Sequence, residues 1–158
     1  MQTDETTLGQ AAYDRDTVGR LPVTSADARE TLLFHSCKHP DVDSPRWQRG
    51  FLGSLRPFTG LQEENFHEVM SALRTLAEPL QADMVPRDVV SGVIGICHFA
   101  RAWGLDSAGP LRRDGHIDDV EAVRLEEWIW TISYALTMIL DGDVTEAFHT
   151  YDHDYFRN

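Results

Sequence analysis

The sequence has little cysteine and no long hydrophobic run. Its two cysteines, Cys37 and Cys97, are too few for a disulfide framework in a chain of 158 residues. No run of about 18 or more apolar residues occurs, so no transmembrane helix is expected. The first residues contain neither a basic segment nor an apolar one, and they therefore do not resemble a secretory signal. Together these absences predict a cytoplasmic protein that does not enter a membrane.

Basic residues are scarce as well. The chain has 14 Lys and Arg against 26 Asp and Glu, which gives a formal net charge of −12 at pH 7. Nucleic-acid binding needs a basic stripe, and the nearest approach is three arginines on one short segment, Arg46, Arg49 and Arg56. We therefore expect no binding to nucleic acid.

Recognisable catalytic motifs are also missing. The sequence has no Gly-x-Ser-x-Gly elbow, no phosphate-binding Walker loop and no dinucleotide fingerprint. No cofactor is expected, and a non-catalytic protein is favoured over an enzyme.

Two patterns resemble metal sites without completing them. Residues 64–67 and 146–149 both read Glu-x-x-His, a motif of di-iron helical bundles, but both glutamates fall in the first turn of a predicted helix, where a carboxylate complements the helix dipole. Residues 114–121 are similar to the second half of an EF-hand loop, yet the first two ligand positions would be Pro110 and Arg112. We interpret the first pattern as helix starts and the second as a turn followed by a capped helix.

Two histidine pairs leave a metal-dependent alternative open. His35 and His39, and likewise His149 and His153, lie four residues apart, which places two imidazoles on one side of a helix. A zinc site needs at least a third protein ligand. No metal site is predicted, but a helical-bundle enzyme that uses His149, His153 and a third ligand remains the alternative function.

From residue 24 onward, the pattern predicts helices separated by turn signals. Residues 1–23 are polar and lack periodicity, so they are interpreted as a flexible or loosely docked tail. Residues 24–158 are predicted to form one all-α domain, a bundle of five to six helices. The predicted helices cover about residues 24–37, 44–56, 59–79, 86–103, 118–140 and 143–151.

Specific residues mark several of these helices. Thr59 and Gln62 are predicted to form a capping box. Residues 89–100 are apolar nearly all round, which predicts a central buried helix, and Gly104 is expected to end it as the left-handed residue after the last turn. The pairs Asp118 and Glu121, then Asp143 and Glu146, are expected to cap the last two helices.

The helix predicted over residues 118–140 is apolar on two sides. One side is a conventional core face, from Leu125 to Leu140. The opposite side carries a second stripe at helical spacing, and such a stripe is either enclosed within the bundle or available to a partner. The candidate protein-binding residues are this stripe and the carboxylates around it: Asp119, Val123, Glu126, Glu127, Trp130, Tyr134, Met138 and Asp141.

Charge and stripe together predict the function. Residues 114–158 hold 11 carboxylates and only two arginines. A surface of this sign attracts basic partners and repels phosphate backbones. We expect a small acidic protein that binds and occludes another protein, one that is basic or has a basic cleft. Bacterial immunity proteins and nuclease inhibitors share this profile of size and charge. A homo-oligomeric subunit with the stripe at a two-fold interface is the other alternative.

Overall fold

The computed structural model describes residues 24–156, and every regular element among them is a helix, as predicted. Five helices in this range have 11 residues or more, and four have only four or five. The predicted tail, residues 1–23, lies outside the described range. No helix within residues 24–156 combines the length and apolarity needed to cross a membrane. In chain order, the helices are α1 (Ser25–His35), α2 (Pro45–Arg49), α3 (Phe51–Leu55), α4 (Glu63–Thr75), α5 (Ala77–Leu80), α6 (Arg87–Gly104), α7 (Pro110–Arg113), α8 (Asp119–Leu140) and α9 (Val144–Phe156).

The predicted starts of α8 and α9 are confirmed by their caps. The Asp118 side chain accepts a hydrogen bond from the Glu121 N–H at 2.8 Å, and the Glu121 carboxylate accepts one from the Asp118 N–H at 3.1 Å. The Asp143 carboxylate accepts a hydrogen bond from the Glu146 N–H at 3.0 Å. Each cap satisfies a backbone donor that has no partner within the helix. α9 then continues to Phe156, beyond its predicted end.

The capping box predicted at Thr59 is wrong. α4 begins at Glu63, and its preceding residue Gln62 makes no side-chain cap bond. Instead, the Gln62 amide donates a hydrogen bond to the Thr59 carbonyl at 3.1 Å. Gly60 has a φ of 103°, so the chain turns where the predicted helix would have been in its first turn.

The helix predicted over residues 44–56 is two helices, because the chain is extended at Gly50. The φ and ψ angles there are −65° and 173°, and α2 ends where α3 begins. A Cβ atom on Gly50 would lie 2.7 Å from the Phe34 carbonyl oxygen, so α1 approaches the backbone at this break. This close approach explains why the helix is interrupted at Gly50, and no local sequence pattern indicates the break.

α8 is the helix around which the core is built. It packs against α4, α5, α6 and α9, while α6 packs against α1, α3 and α7 as well as α8. Trp128 on α8 is buried and stacks on Phe66 of α4, with ring centroids 5.5 Å apart. The prediction that α6 is buried all round is wrong, since Ile94 and Phe99 are 57% and 43% exposed. α6 covers the core with one side only.

Gly104 lies inside α6 and does not end it in the predicted way. It is the last residue of the helix, and it is absent from the residues with positive φ. A Cβ atom there would lie 2.5 Å from Cδ2 of Leu125 on α8. The glycine is therefore required for the close crossing of α6 and α8, rather than for a left-handed turn.

Candidate functional site

α8 buries one side in the core and leaves the opposite side open. Trp128 is only 2% exposed, whereas Trp130 is 51% exposed and Val123 57%. Because two residues along a helix turn through about 200°, neighbouring tryptophans point to opposite sides. We define the outer face of α8 as Val123, Glu127, Trp130 and Tyr134.

Trp130 is held in place by Tyr134. Their ring centroids lie 5.0 Å apart and their planes differ by 8°, which is a stacked arrangement along one side of the helix. The Tyr134 hydroxyl donates a 2.7 Å hydrogen bond to the Glu146 carboxylate on α9. That hydrogen bond raises the pKa of the Tyr134 hydroxyl above its ordinary value. α9 thus fixes the tyrosine, and the tyrosine fixes the indole.

The exposed stripe is shorter than the predicted one. Met138 is half-buried and packs against the core, so it does not extend the surface as Trp130 does. Asp141, at the end of α8, is exposed. Leu140, predicted to face the core, is exposed too, because it lies at the very end of the helix. The open aromatic part is confined to the turns between Val123 and Tyr134.

Carboxylates on the α6 side of the outer face are paired with arginines. Glu126 lies 3.8 Å from Arg101 of α6, and Asp119 lies 2.6 Å from Arg112 of α7. Arg112 also donates to the Ile117 carbonyl at 2.9 Å, which anchors its guanidinium. Asp119 and Glu126, two of the four predicted rim carboxylates, therefore have their charge balanced within the chain.

Carboxylates on the α9 side have no such balance. Within residues 24–156, four carboxylates form no ion pair with an arginine, lysine or histidine: Glu127, Asp141, Asp143 and Glu146. Arg124 precedes Glu127 by three residues on α8, but it forms no ion pair in the same range either. Negative charge in excess is thus concentrated between α8 and α9.

Tyr155 of α9 borders this charged region, and nothing in the sequence pattern pointed to it. Burial raises the pKa of its hydroxyl, and the nearby carboxylates of Glu63, Glu127 and Asp154 raise it further. Glu127 therefore lies at the edge of the outer face that is next to the aromatic end of α9. Only the packing of α9 along α8 brings these residues together.

An open groove adjoins the outer face at Val123, on the α6 side. It lies between α6 and α8, with a volume of about 640 Å³. Its lining is mixed: Ala102, Leu105, Ala122 and Val123 are apolar, whereas His98, Arg101, Asp106, Arg112, Asp119 and Glu126 are polar or charged. The two sides of Trp130 thus differ: on the α6 side, two carboxylates are paired with arginines beside a groove of mixed lining, and on the α9 side the carboxylates form no such pairs within residues 24–156.

His35 and His39 cannot act as one metal-binding unit, and only His35 lies on α1, which ends there. His35 is buried, its Nδ1 accepts the Phe51 N–H at 2.9 Å, and its Nε2 contacts the Glu68 carboxylate at 3.0 Å. His39 stacks on Phe34, with ring centroids 3.8 Å apart. Both nitrogens of His35 are in use, so the pair does not present two free ligands.

The second pair lies on the surface of α9. His149 and His153 are exposed, and Nδ1 of His153 lies 2.9 Å from the Asp154 carboxylate. Across residues 24–156, no three side chains of the metal-binding types are grouped closely enough to hold an ion. One residue of each Glu-x-x-His motif is also engaged elsewhere, since Glu146 accepts the Tyr134 hydroxyl, and His67 lies 2.7 Å from the Tyr151 hydroxyl.

The EF-hand-like segment is a turn and a helix start. Gly115 has a φ of 72°, and Asp114 pairs with Arg113. Asp118 caps α8, so its carboxylate accepts from the backbone and does not point into a loop centre. These partners account for the residues that the pattern offered as calcium ligands.

Neither cysteine has the character of a nucleophile. Burial raises the pKa of the Cys37 thiol to about 11 and that of Cys97 also to about 11. The thiolate is the reactive form, and at these pKa values very little thiolate is present at neutral pH.

Of the candidate sites that the sequence offered, the described residues bring together only the exposed aromatic pair and its carboxylates. Comparison of the chain with family models, with curated proteins and with solved structures finds no match.

Proposed function

We propose that this chain is a small, acidic, non-catalytic protein that binds a basic partner protein through the outer face of α8. The observation that carries the proposal is Trp130, a large aromatic side chain half exposed on a helix whose other side forms the core. Tryptophan, tyrosine and arginine dominate the binding energy of protein interfaces. Occlusion of a basic cleft, as by an inhibitor or immunity protein, is the proposed mechanism.

Rigidity of the aromatic pair supports this function. Binding costs free energy when mobile side chains become ordered at an interface. Tyr134 is already held by Glu146 and stacks on Trp130, so less ordering is left for the moment of binding. The aromatic pair is therefore largely ordered before a partner binds.

Charge supports a basic partner over a second copy of the chain. A net charge of −12 steers basic proteins toward this surface and repels anionic ones. In a two-fold dimer through the same face, each copy would place Glu127 near the carboxylates of the other. Such a contact is opposed by like-charge repulsion, so homodimerisation is the less favoured arrangement. We also propose a cytoplasmic location, supported by two free thiols in the chain.

Affinity capture with matched variants tests the proposal. Wild-type chain, the double variant Trp130→Ala and Tyr134→Ala, and the control Phe99→Ala are immobilised and exposed to a lysate of the source cells. Phe99 is also a partly exposed aromatic side chain, but it lies on α6 beside Trp103. We expect a basic protein retained by wild type and by Phe99→Ala, and lost from the double variant.

Folding and association state are measured on the same samples. Circular dichroism should show equal helix content in all three proteins, because Trp130 contributes little to the core. Equal retention by all three proteins would argue against the outer face as the binding surface. A salt-resistant dimer that dissociates in the double variant would favour the homo-oligomeric alternative.

A further inference from the structure

We infer that the partner presents a basic amphipathic helix that crosses Trp130 in one orientation, with its cationic edge toward α9 and its apolar edge toward α6. This inference rests on the proposed function and specifies the partner's chemistry. It follows from the difference between the two sides of the outer face.

On the α9 side, the surface offers carboxylates that form no ion pair with an arginine, lysine or histidine of residues 24–156. Glu127 borders Trp130 within one turn, and Glu146 lies beside Tyr134. Asp143 also contributes negative charge at Tyr134. Arg124 offsets only one of these charges. A row of arginines or lysines is the complement of such an edge.

On the α6 side, two of the three carboxylates that line the groove are paired with arginines, and the third, Asp106, accepts the Ala108 N–H at 2.9 Å. Glu126 shares its charge with Arg101, and Asp119 with Arg112. Between these charged groups, the groove has apolar lining from Ala102, Leu105, Ala122 and Val123. A cation placed here would compete with the arginines of the chain, whereas a leucine-like side chain would bury apolar surface.

α6 carries a further exposed apolar side chain, Ile94, past Trp130. The Cys97 thiol contacts the Ile129 carbonyl at 3.7 Å, and Gly104 lies against Leu125, so α6 and α8 run antiparallel. Ile94 precedes Cys97 by one turn, which places it level with the part of α8 that follows Ile129. Its side chain is 57% exposed. Ile94 thus adds an exposed apolar side chain at one end of the α6 side, and Val123 adds one at the other end.

Trp130 stands between these two sides. Tyr134 covers one face of its indole, and the opposite face is turned away from Tyr134. An exposed indole face accepts either an aliphatic side chain or a guanidinium. Partner helices commonly bind in a groove between two helices, through an apolar stripe on the partner.

A pair of adjacent glutamates provides the test. Glu126 and Glu127 are both exposed, and they differ in that only Glu126 has an arginine partner within the described range. The probe is a labelled helical peptide of about 18 leucines and arginines in amphipathic order, and its scrambled isomer serves as comparison. Dissociation constants are measured by fluorescence anisotropy for wild type, Glu126→Gln, Glu127→Gln and Trp130→Ala. Asp43→Asn, which removes a carboxylate from the loop before α2, is the control.

We expect Glu127→Gln to weaken binding about fivefold, Glu126→Gln less than about twofold, and Trp130→Ala at least about tenfold. Asp43→Asn and wild type should bind alike, and the scrambled peptide should bind more weakly than the amphipathic one.

Each failure has a distinct meaning. Equal losses for Glu126→Gln and Glu127→Gln, or equal affinity for the two peptides, would overturn the orientation while Trp130→Ala still supports the proposed surface. Unchanged affinity in Trp130→Ala would overturn both. No binding of the amphipathic peptide would overturn the inference, and affinity capture would still decide the proposed function.

Discussion

Single residues show how this fold uses its polar side chains. His35 is buried, and its Nδ1 accepts the N–H of Phe51, the first residue of α3. α3 has no side-chain cap from its own preceding residue, because that residue is Gly50. With Nδ1 as acceptor, Nε2 carries the proton and donates to Glu68. A histidine from α1 thus caps α3 and ties both to α4.

His67 makes the stability of the fold depend on pH. Burial lowers its pKa below the ordinary 6.5, and this outweighs the opposing effect of Glu63 and Glu64. The unfolded chain therefore binds a proton more readily than the folded chain. The free energy of unfolding falls as the pH drops from about 6.5 through the lowered folded-state pKa, and His67 adds no slope above that range.

Substitution of His67 tests this linkage. In His67→Gln, we expect the loss of unfolding free energy between pH 8 and pH 5.5 to be smaller than in wild type, as measured by urea denaturation. His149→Gln, at an exposed histidine of α9, should keep the wild-type dependence. An unchanged pH dependence in His67→Gln would show that burial of this imidazole does not control it.

Among the elements, the crossing of α6 and α8 has the tightest requirement. Gly104 leaves no room for a Cβ atom against Leu125, whereas a Cβ atom on Gly95 would meet only the Lys38 side chain at 3.9 Å. The same substitution therefore has opposite effects at two positions of one helix.

We expect Gly104→Ala to lower the free energy of unfolding by about 1–3 kcal/mol, because Leu125 or the helix must shift. Gly95→Ala should leave it unchanged or raise it by up to about 1 kcal/mol, since alanine favours helix over glycine. Chemical denaturation of both variants measures the difference. Equal stability of the two variants would mean that α6 and α8 do not approach closely at Gly104.

The sequence was sufficient to predict features that depend on near neighbours. Asp118 with Glu121 predicted the start of α8, and the spacing of its apolar residues predicted two distinct sides. Features that join distant segments were not predictable. The break at Gly50 depends on the Phe34 carbonyl, and the support of Tyr134 depends on Glu146 across the α8–α9 turn. The exposure of Ile94 likewise depends on which helices cover α6.

At the scale of the whole molecule, charge is divided unevenly. The chain balances several carboxylates with its own arginines, including Asp88 with Arg29 and Asp152 with Arg74. Between α8 and α9, the carboxylates of Glu127, Asp141, Asp143 and Glu146 form no such pair with any residue that the structure describes, and there the stacked aromatic pair is exposed. Unbalanced charge and exposed aromatic area on one side of a −12 chain form the basis of the proposed function.

Hydroxyl-radical labelling of the free chain and of its complex with the captured partner tests that basis most directly. Oxidation of each aromatic side chain, read by mass spectrometry, reports whether it is covered. We predict that oxidation of Trp130 and Tyr134 falls several-fold in the complex, while that of Phe99 on α6 stays the same. Undiminished oxidation of Trp130 in a complex that protects Phe99 would contradict the account.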